Sequence, residues 1–218
     1  MVPDRIVDSS QSDGQLSGDF QTIAAYDNAA AQVAALHATL VPTRIYQLVN
    51  QFFLRGGACA DIGCGIGRDC AWLAEQEYTV TGIDASEGML NQARNRYPHI
   101  PFVKGSLPLM KEVADSTFTN VLCSAVIMHL AENQIASAAA NLVRVTAENG
   151  VIVLSFRGTQ NENWRENGKL YSPISPDKLI SCFTADGCAL LHHETEQEKG
   201  RDIVWNNLVF RKLPHPVA

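Results

Sequence analysis

Between Ala58 and Arg68 a short apolar run passes, through glycines at 63, 65 and 67, into an amphipathic segment, and a second apolar run ends at Asp84. Few folds accommodate that order. Glycines at alternate positions let a strand turn sharply into a helix with no β-carbon in the way, so a nucleoside ligand can lie against bare backbone. A carboxylate ending the next strand, here Asp84, is then placed to accept hydrogen bonds from a ribose diol.

Downstream, β-rich runs alternate with helical periodicity, which predicts an α/β fold whose parallel sheet is covered on both faces. Strands are expected near 58–62, 79–83, 101–104, 118–123 and 151–156. Met89, Leu90, Ala93 and Tyr97 form one helical stripe and Ile135, Ala138, Ala139 and Leu142 another, with Ser86 as an N-cap. Upstream, the alanine-rich stretch Thr22–Leu40 reads as one helix, and Thr43–Phe53 as a second after Pro42. Residues 1–19 are polar and carry too little apolar area to offset ordering entropy, so a mobile tail is expected. Residues 157–174 read as a long polar connection of the functional kind. Ser175-Pro176 starts a further helix, and Cys188–Leu191 should pair with Ile203–Phe210 as a hairpin about Lys199-Gly200.

The 218 residues, 46% of them apolar, suit one substantial core. The expected division is tail 1–19, cap helices 20–56 and main domain 57–212. A net charge of −6 and a pI near 5.5 argue against phosphate-backbone attraction, and hence against a nucleic-acid partner. The six cysteines form no C-x-x-C pair, which argues against a zinc site and for small buried thiols in a reducing compartment. The amino terminus lacks a basic start followed by an apolar stretch, and no apolar run reaches the roughly 18 residues of a membrane span. A soluble cytoplasmic protein is expected.

Two nucleoside-binding layouts compete. The dinucleotide frame G-x-G-x-x-G, read from Gly63, needs glycine at position 68, where Arg68 stands. A carboxylate at Asp61 would also repel a phosphate, whereas it suits a nearby ammonium group. The run Ala60–Asp69 resembles motif I of the class I S-adenosylmethionine-dependent methyltransferases. Val80–Ser86 is similar to that family's second-strand motif, and Phe118–Leu130 to its fourth strand and following turn. The resemblance spans about residues 26–210. It implies a Rossmann-like, seven-stranded, mostly parallel sheet with an antiparallel C-terminal strand, and S-adenosyl-L-methionine as cofactor. By the same likeness Asp61, Gly63, Cys64, Gly65 and Gly67 belong to the methionine end, and Asp84, Ala85 and Ser86 to the ribose. Met89 and Leu107 would stack on adenine, Ser106 or a backbone carbonyl would accept from its amine, and Ser124 would border the reacting end. Two departures stand out. The usual Lys-Pro-Gly-Gly turn is reduced to Gly150, and Gly105-Ser106 replaces the Asp that many relatives set near the amine.

The acceptor is less legible. No Asn-Pro-Pro-Tyr or Asp-Pro-Pro-Tyr run follows the fourth strand, which argues against exocyclic-amine methylation of a base, and no Pro-Cys pair marks Cys123 as a nucleophile. His129 is the titratable ring nearest the expected methyl; it suits either a general base or a structural histidine bonded to backbone. Tyr26, Arg157, Trp164 and Tyr171, with Arg165, are candidates for closing over a substrate. His192-His193 falls in a strand, where neighbours point to opposite faces, so the pair cannot hold one metal. A small-molecule acceptor is the preferred reading. A macromolecular acceptor, a nicotinamide oxidoreductase and a cofactor-binding regulatory module are the alternatives, and the atom methylated and the oligomeric state stay open.

Overall fold

Seven of the apolar runs assemble into one sheet. β1 (Ala58–Ile62), β2 (Thr79–Asp84), β3 (Phe102–Lys104), β4 (Phe118–Ser124) and β5 (Thr146–Gly158) run parallel. A separate hairpin of β6 (Trp164–Glu166) and β7 (Lys169–Tyr171) follows. Then β8 (Cys188–Gln197) and β9 (Val204–Lys212) complete the order β3-β2-β1-β4-β5-β9-β8, with β9 antiparallel to both neighbours. The Rossmann-like sheet with a reversed last strand is as expected from sequence. The computed structural model describes residues 18–158, 163–198 and 203–214. Residues 1–17 of the expected tail, 159–162 of the polar connection and the Lys199-Gly200 turn lie outside the described residues.

Helices cover both faces because successive strand residues point to opposite sides. Val121 and Cys123 face α6 (Ile135–Val145) and α7 (Pro176–Ala185), whose Ala138, Ala139, Leu142, Leu179 and Phe183 are buried there. Leu122 faces the other side, with α3 (Thr43–Phe52), α4 (Arg68–Glu75) and α5 (Glu87–Arg96). All four residues of the 135–142 stripe are buried, as are Met89, Leu90 and Ala93 of the other. Ser86 caps α5, accepting from Met89 N at 3.1 Å.

Three expectations need correction. The stretch Thr22–Leu40 is two helices, α1 (Phe20–Asn28) and α2 (Ala30–His37), separated at Ala29, whose φ of −107° and ψ of 15° leave the helical region. Part of the polar connection is the β6–β7 hairpin, turned by Asn167 and Gly168 at φ +51° and +81°. Two positive-φ residues make the type I′ geometry that matches strand twist. Finally, Asp19 is no tail residue: its carboxylate accepts Thr22 N at 2.8 Å and caps α1.

Candidate active site

The glycine loop is pinned from below. Gly63 N and Cys64 N both donate to Ile83 O, at 2.7 and 3.0 Å, which ties the end of β1 to β2. Asp84 then closes the loop: its Oδ2 accepts Gly65 N and its Oδ1 accepts Ser86 N, each at 2.8 Å. Burial raises its pKa against the pull of those two donors. Each carboxylate oxygen keeps a second lone pair for a hydroxyl. Gly63 has φ +75°, and a β-carbon there would stand 2.1 Å from Val126 Cγ2, so side chain and conformation both require glycine.

Above this loop a cavity of about 970 Å³ opens at the carboxyl ends of the strands. It sits where the sheet order reverses direction between β1 and β4, the usual crevice of open α/β sheets. On the β1–β2 side it is bordered by Gly63, Cys64, Gly65, Asp84, Ala85 and Ser86, with Met89 and Leu107 as an apolar wall and Ser106 beside them. Ser106 Oγ donates to Leu107 O at 2.7 Å, which leaves its lone pairs free to accept. Ser124 borders the centre, 2.9 Å from Ser155 Oγ, and is followed by Ala125 at φ +60°, an uncommon conformation for alanine.

Two motif I residues are not on this wall. Asp61 is 2% exposed beneath the loop, where the Cys70 thiol approaches its Oδ2 at 3.2 Å. Burial, reinforced by the charge of Asp69, pushes its carboxyl up to about 8, and it does not border the cavity. Gly67 starts α4 at φ +76° and serves packing, since a β-carbon would meet Phe102 Cζ at 2.7 Å.

The β4–β5 side is aromatic and cationic. His129 ends a 3₁₀ turn (Ile127–His129), with Nδ1 2.6 Å from Leu170 O and Nε2 3.3 Å from Tyr26 Oη. A carbonyl only accepts, so Nδ1 carries the hydrogen and Nε2 presents its lone pair. Burial, with Lys169 and Arg157 adding to it, lowers the ring to about 4, and the imidazole is neutral at ordinary pH. Burial also raises the Tyr26 phenol, keeping it a donor. Arg157 lies over the Tyr171 ring at 4.8 Å. Trp164 does not border the cavity; it stacks behind Tyr171, centroids 5.0 Å apart. Arg165 is likewise outside, paired with Asp19 at 2.7 Å.

Several site residues escaped the sequence reading. Thr22 Oγ1 accepts Leu170 N at 2.8 Å and Asp27 accepts both Ser86 Oγ (2.6 Å) and Gly88 N (2.9 Å), so α1 is latched across the cavity. Lys169, with Nζ 4.0 Å from the Tyr26 ring centroid, arrives on β7. The Asn167-Gly168 pair was a usable hairpin signal; Thr22 and Asp27 carried none. Among the described residues no three potential metal ligands cluster, and His192 instead lies 3.0 Å from Glu194.

Residues 59–150, from β1 into the first part of β5, match a family model described as a methyltransferase domain. The chain carries a methyltransferase domain of the class I, S-adenosylmethionine-dependent kind. The domain is 27% identical over 154 residues to a malonyl-[acyl-carrier protein] O-methyltransferase of Serratia marcescens, covering 66% of this chain and 56% of that protein. Over 68 residues it is 35% identical to a ubiquinone biosynthesis O-methyltransferase of Coxiella burnetii, 31% of this chain and 29% of that one. The chain thus spans little more than half, or less, of these relatives. In solved structures, Burkholderia thailandensis 1,6-didemethyltoxoflavin-N1-methyltransferase superposes with a TM-score of 0.73 at 14% identity, covering 98% of this chain and 94% of that one. The [4+2]-cyclase SpnF gives 0.72 at 15% identity, covering 91% and 97%. A methyltransferase and a cyclase on one fold mean that the reaction must be argued from the site.

The methyltransferase domain fits its cofactor. Bare loop backbone, a carboxylate with two spare acceptor sites and the Met89–Leu107 wall suit a methionine moiety, a ribose diol and a purine in turn. Arg68, the cation nearest the loop, is held bidentate by Asp69 at 2.7 and 2.8 Å, so it is not free to bind a phosphate.

Proposed function

We propose that the protein transfers the methyl group of S-adenosylmethionine to an oxygen, nitrogen or sulfur of a small-molecule acceptor seated between His129, Tyr26, Arg157 and Tyr171. One observation carries this reading: the loop held by Asp84 and the aromatic, cationic pair of walls share a single cavity of about 970 Å³, near the upper end of the roughly 300–1,000 Å³ usual for small-molecule sites. When bound, the cofactor supplies an electrophilic methyl on a sulfonium whose leaving group is a neutral thioether. The chain's own contribution is then mainly position. Holding an acceptor in line at about 3–3.5 Å lowers such a barrier by roughly 7–11 kcal/mol. His129 Nε2 is oriented to accept a proton from a hydroxyl or thiol acceptor, directly or through Tyr26, and its Leu170 bond fixes the tautomer that can.

A small acceptor is favoured by the enclosure under α1, by the net charge of −6, and by a structural neighbour whose name gives a small acceptor, 1,6-didemethyltoxoflavin. A reducing cytoplasm is the proposed compartment, which suits five buried thiols; among the described residues no helix is long and apolar enough to cross a membrane. Incubation with methyl-labelled S-adenosylmethionine and, separately, a metabolite extract, total RNA and total protein tests the reading. Label is expected in the metabolite fraction. Label in RNA or protein would replace it with a macromolecular acceptor, and binding without transfer to any pool would favour a regulatory module.

A further inference from the structure

We infer that the methyl acceptor carries an oxyanion, a carboxylate or a phosphate, and that Arg157 and Lys169 bind it. The inference rests on the methyl-transfer reading above. Arg157 leaves the carboxyl end of β5 with its side chain only 15% exposed, and the Tyr171 ring beneath it fixes the guanidinium plane. Its carboxylate partner is Glu166 at 3.3 Å, a side chain 55% exposed and therefore a weak neutraliser. Lys169 borders the same space half-buried, its ammonium over the Tyr26 ring, and makes no ion pair among the described residues.

Charge bookkeeping on this wall leaves a surplus. Two cations face one solvated carboxylate; His129 is neutral, and Asp19 is occupied by Arg165. Of the other carboxylates bordering the cavity, Asp69 and Asp84 lie on the nucleoside side, while Glu196, paired with Trp205, and Glu198, which accepts from Trp205 Nε1 at 3.0 Å, lie beyond the β9 strand that separates β8 from Arg157. A partly desolvated ammonium is unfavourable unless an anion complements it. The wall also lies on the β4–β5 side of the switch point, opposite the loop and Asp84, the side that the proposed function gives to the acceptor. A planar ring set between Tyr26 and Tyr171 would present an attached oxyanion to both cations.

The rival role for these cations is to hold the cofactor's own amino-acid carboxylate, and calorimetry separates the two. The full chain, saturated with S-adenosylhomocysteine, is titrated with benzoate, phenyl phosphate and neutral benzamide. Wild type should bind at least one anion tenfold or more tighter than benzamide. Arg157→Gln and Lys169→Gln should each erase most of that preference while binding S-adenosylhomocysteine within twofold of wild type, which also verifies folding. Arg157→Lys, which keeps the charge, should retain part of it. Anions bound no better than benzamide overturn the inference. So do variants that lose S-adenosylhomocysteine affinity yet bind 5′-methylthioadenosine, which lacks the carboxylate, as wild type does. If wild type fails to bind S-adenosylhomocysteine at all, the methyl-transfer reading itself fails and takes this inference with it.

Discussion

Gly63 and His129 show how single positions are constrained. Alanine at 63 must hold φ +75° and displace Val126, whose Cγ2 would be 2.1 Å away. The left-handed conformation alone costs about 1–2 kcal/mol. Urea unfolding of Gly63→Ala should therefore show a loss of at least that size, and Val126→Ala in the same chain should recover only the steric part. Wild-type stability in Gly63→Ala would mean that the loop is built otherwise. His129 makes a pH prediction. Its folded pKa of about 4 lies below its ordinary 6.5, so between those values the unfolded chain binds more protons, and stability is lost as pH falls through that window. The full shift corresponds to about 3 kcal/mol. Wild type should lose about that much more than His129→Gln between pH 6.5 and 4, measured by denaturant unfolding, with Asp61 titrating in both proteins and cancelling. At this scale the sequence was legible where backbone geometry is local, as at Gly63, Asp84 and Ser86. It was not legible at Asp61, because spacing alone does not say which side of a loop a carboxylate faces.

Among the elements, α1 governs access to the cavity. It is held at three points along its length: Asp19 to Arg165, Thr22 to Leu170 N, and Asp27 to Ser86 and Gly88. The first two contacts reach the β6–β7 hairpin and the third reaches α5, so one helix couples both halves of the site. Asp27→Ala should raise hydrogen exchange across 20–28 and weaken S-adenosylhomocysteine binding severalfold, while β1, β4 and β5 keep their protection. Unchanged exchange in α1 would show that the latch is elsewhere. The α1–α2 break at Ala29 had a local signal, since Asp27-Asn28 just before it are weak helix formers, but the alanines around that pair favour a single helix over the whole stretch. The hairpin was legible from Asn167-Gly168, although the polar residues around that pair lack the alternating apolar pattern of a longer strand.

In the molecule as a whole, strand order decides the chemistry. Placing β1 beside both β2 and β4 opens the crevice at their shared end, with nucleoside contacts on one flank and His129, Arg157 and Tyr171 on the other. Alternating runs and period made the parallel sheet legible, and the family likeness supplied its order and the reversed β9. The contacts of α1 with β7 join residues up to 148 positions apart and follow from packing that no local pattern encodes. The claim on which the rest depends is that Asp84 and the glycine loop bind an adenosyl thioether. Isothermal titration of S-adenosylhomocysteine into wild type and Asp84→Asn tests it. Wild type should bind one equivalent, and Asp84→Asn at least tenfold more weakly, since each charge-assisted hydrogen bond contributes about 1.5–3 kcal/mol. No binding by wild type, or equal affinity in the two proteins, would contradict it.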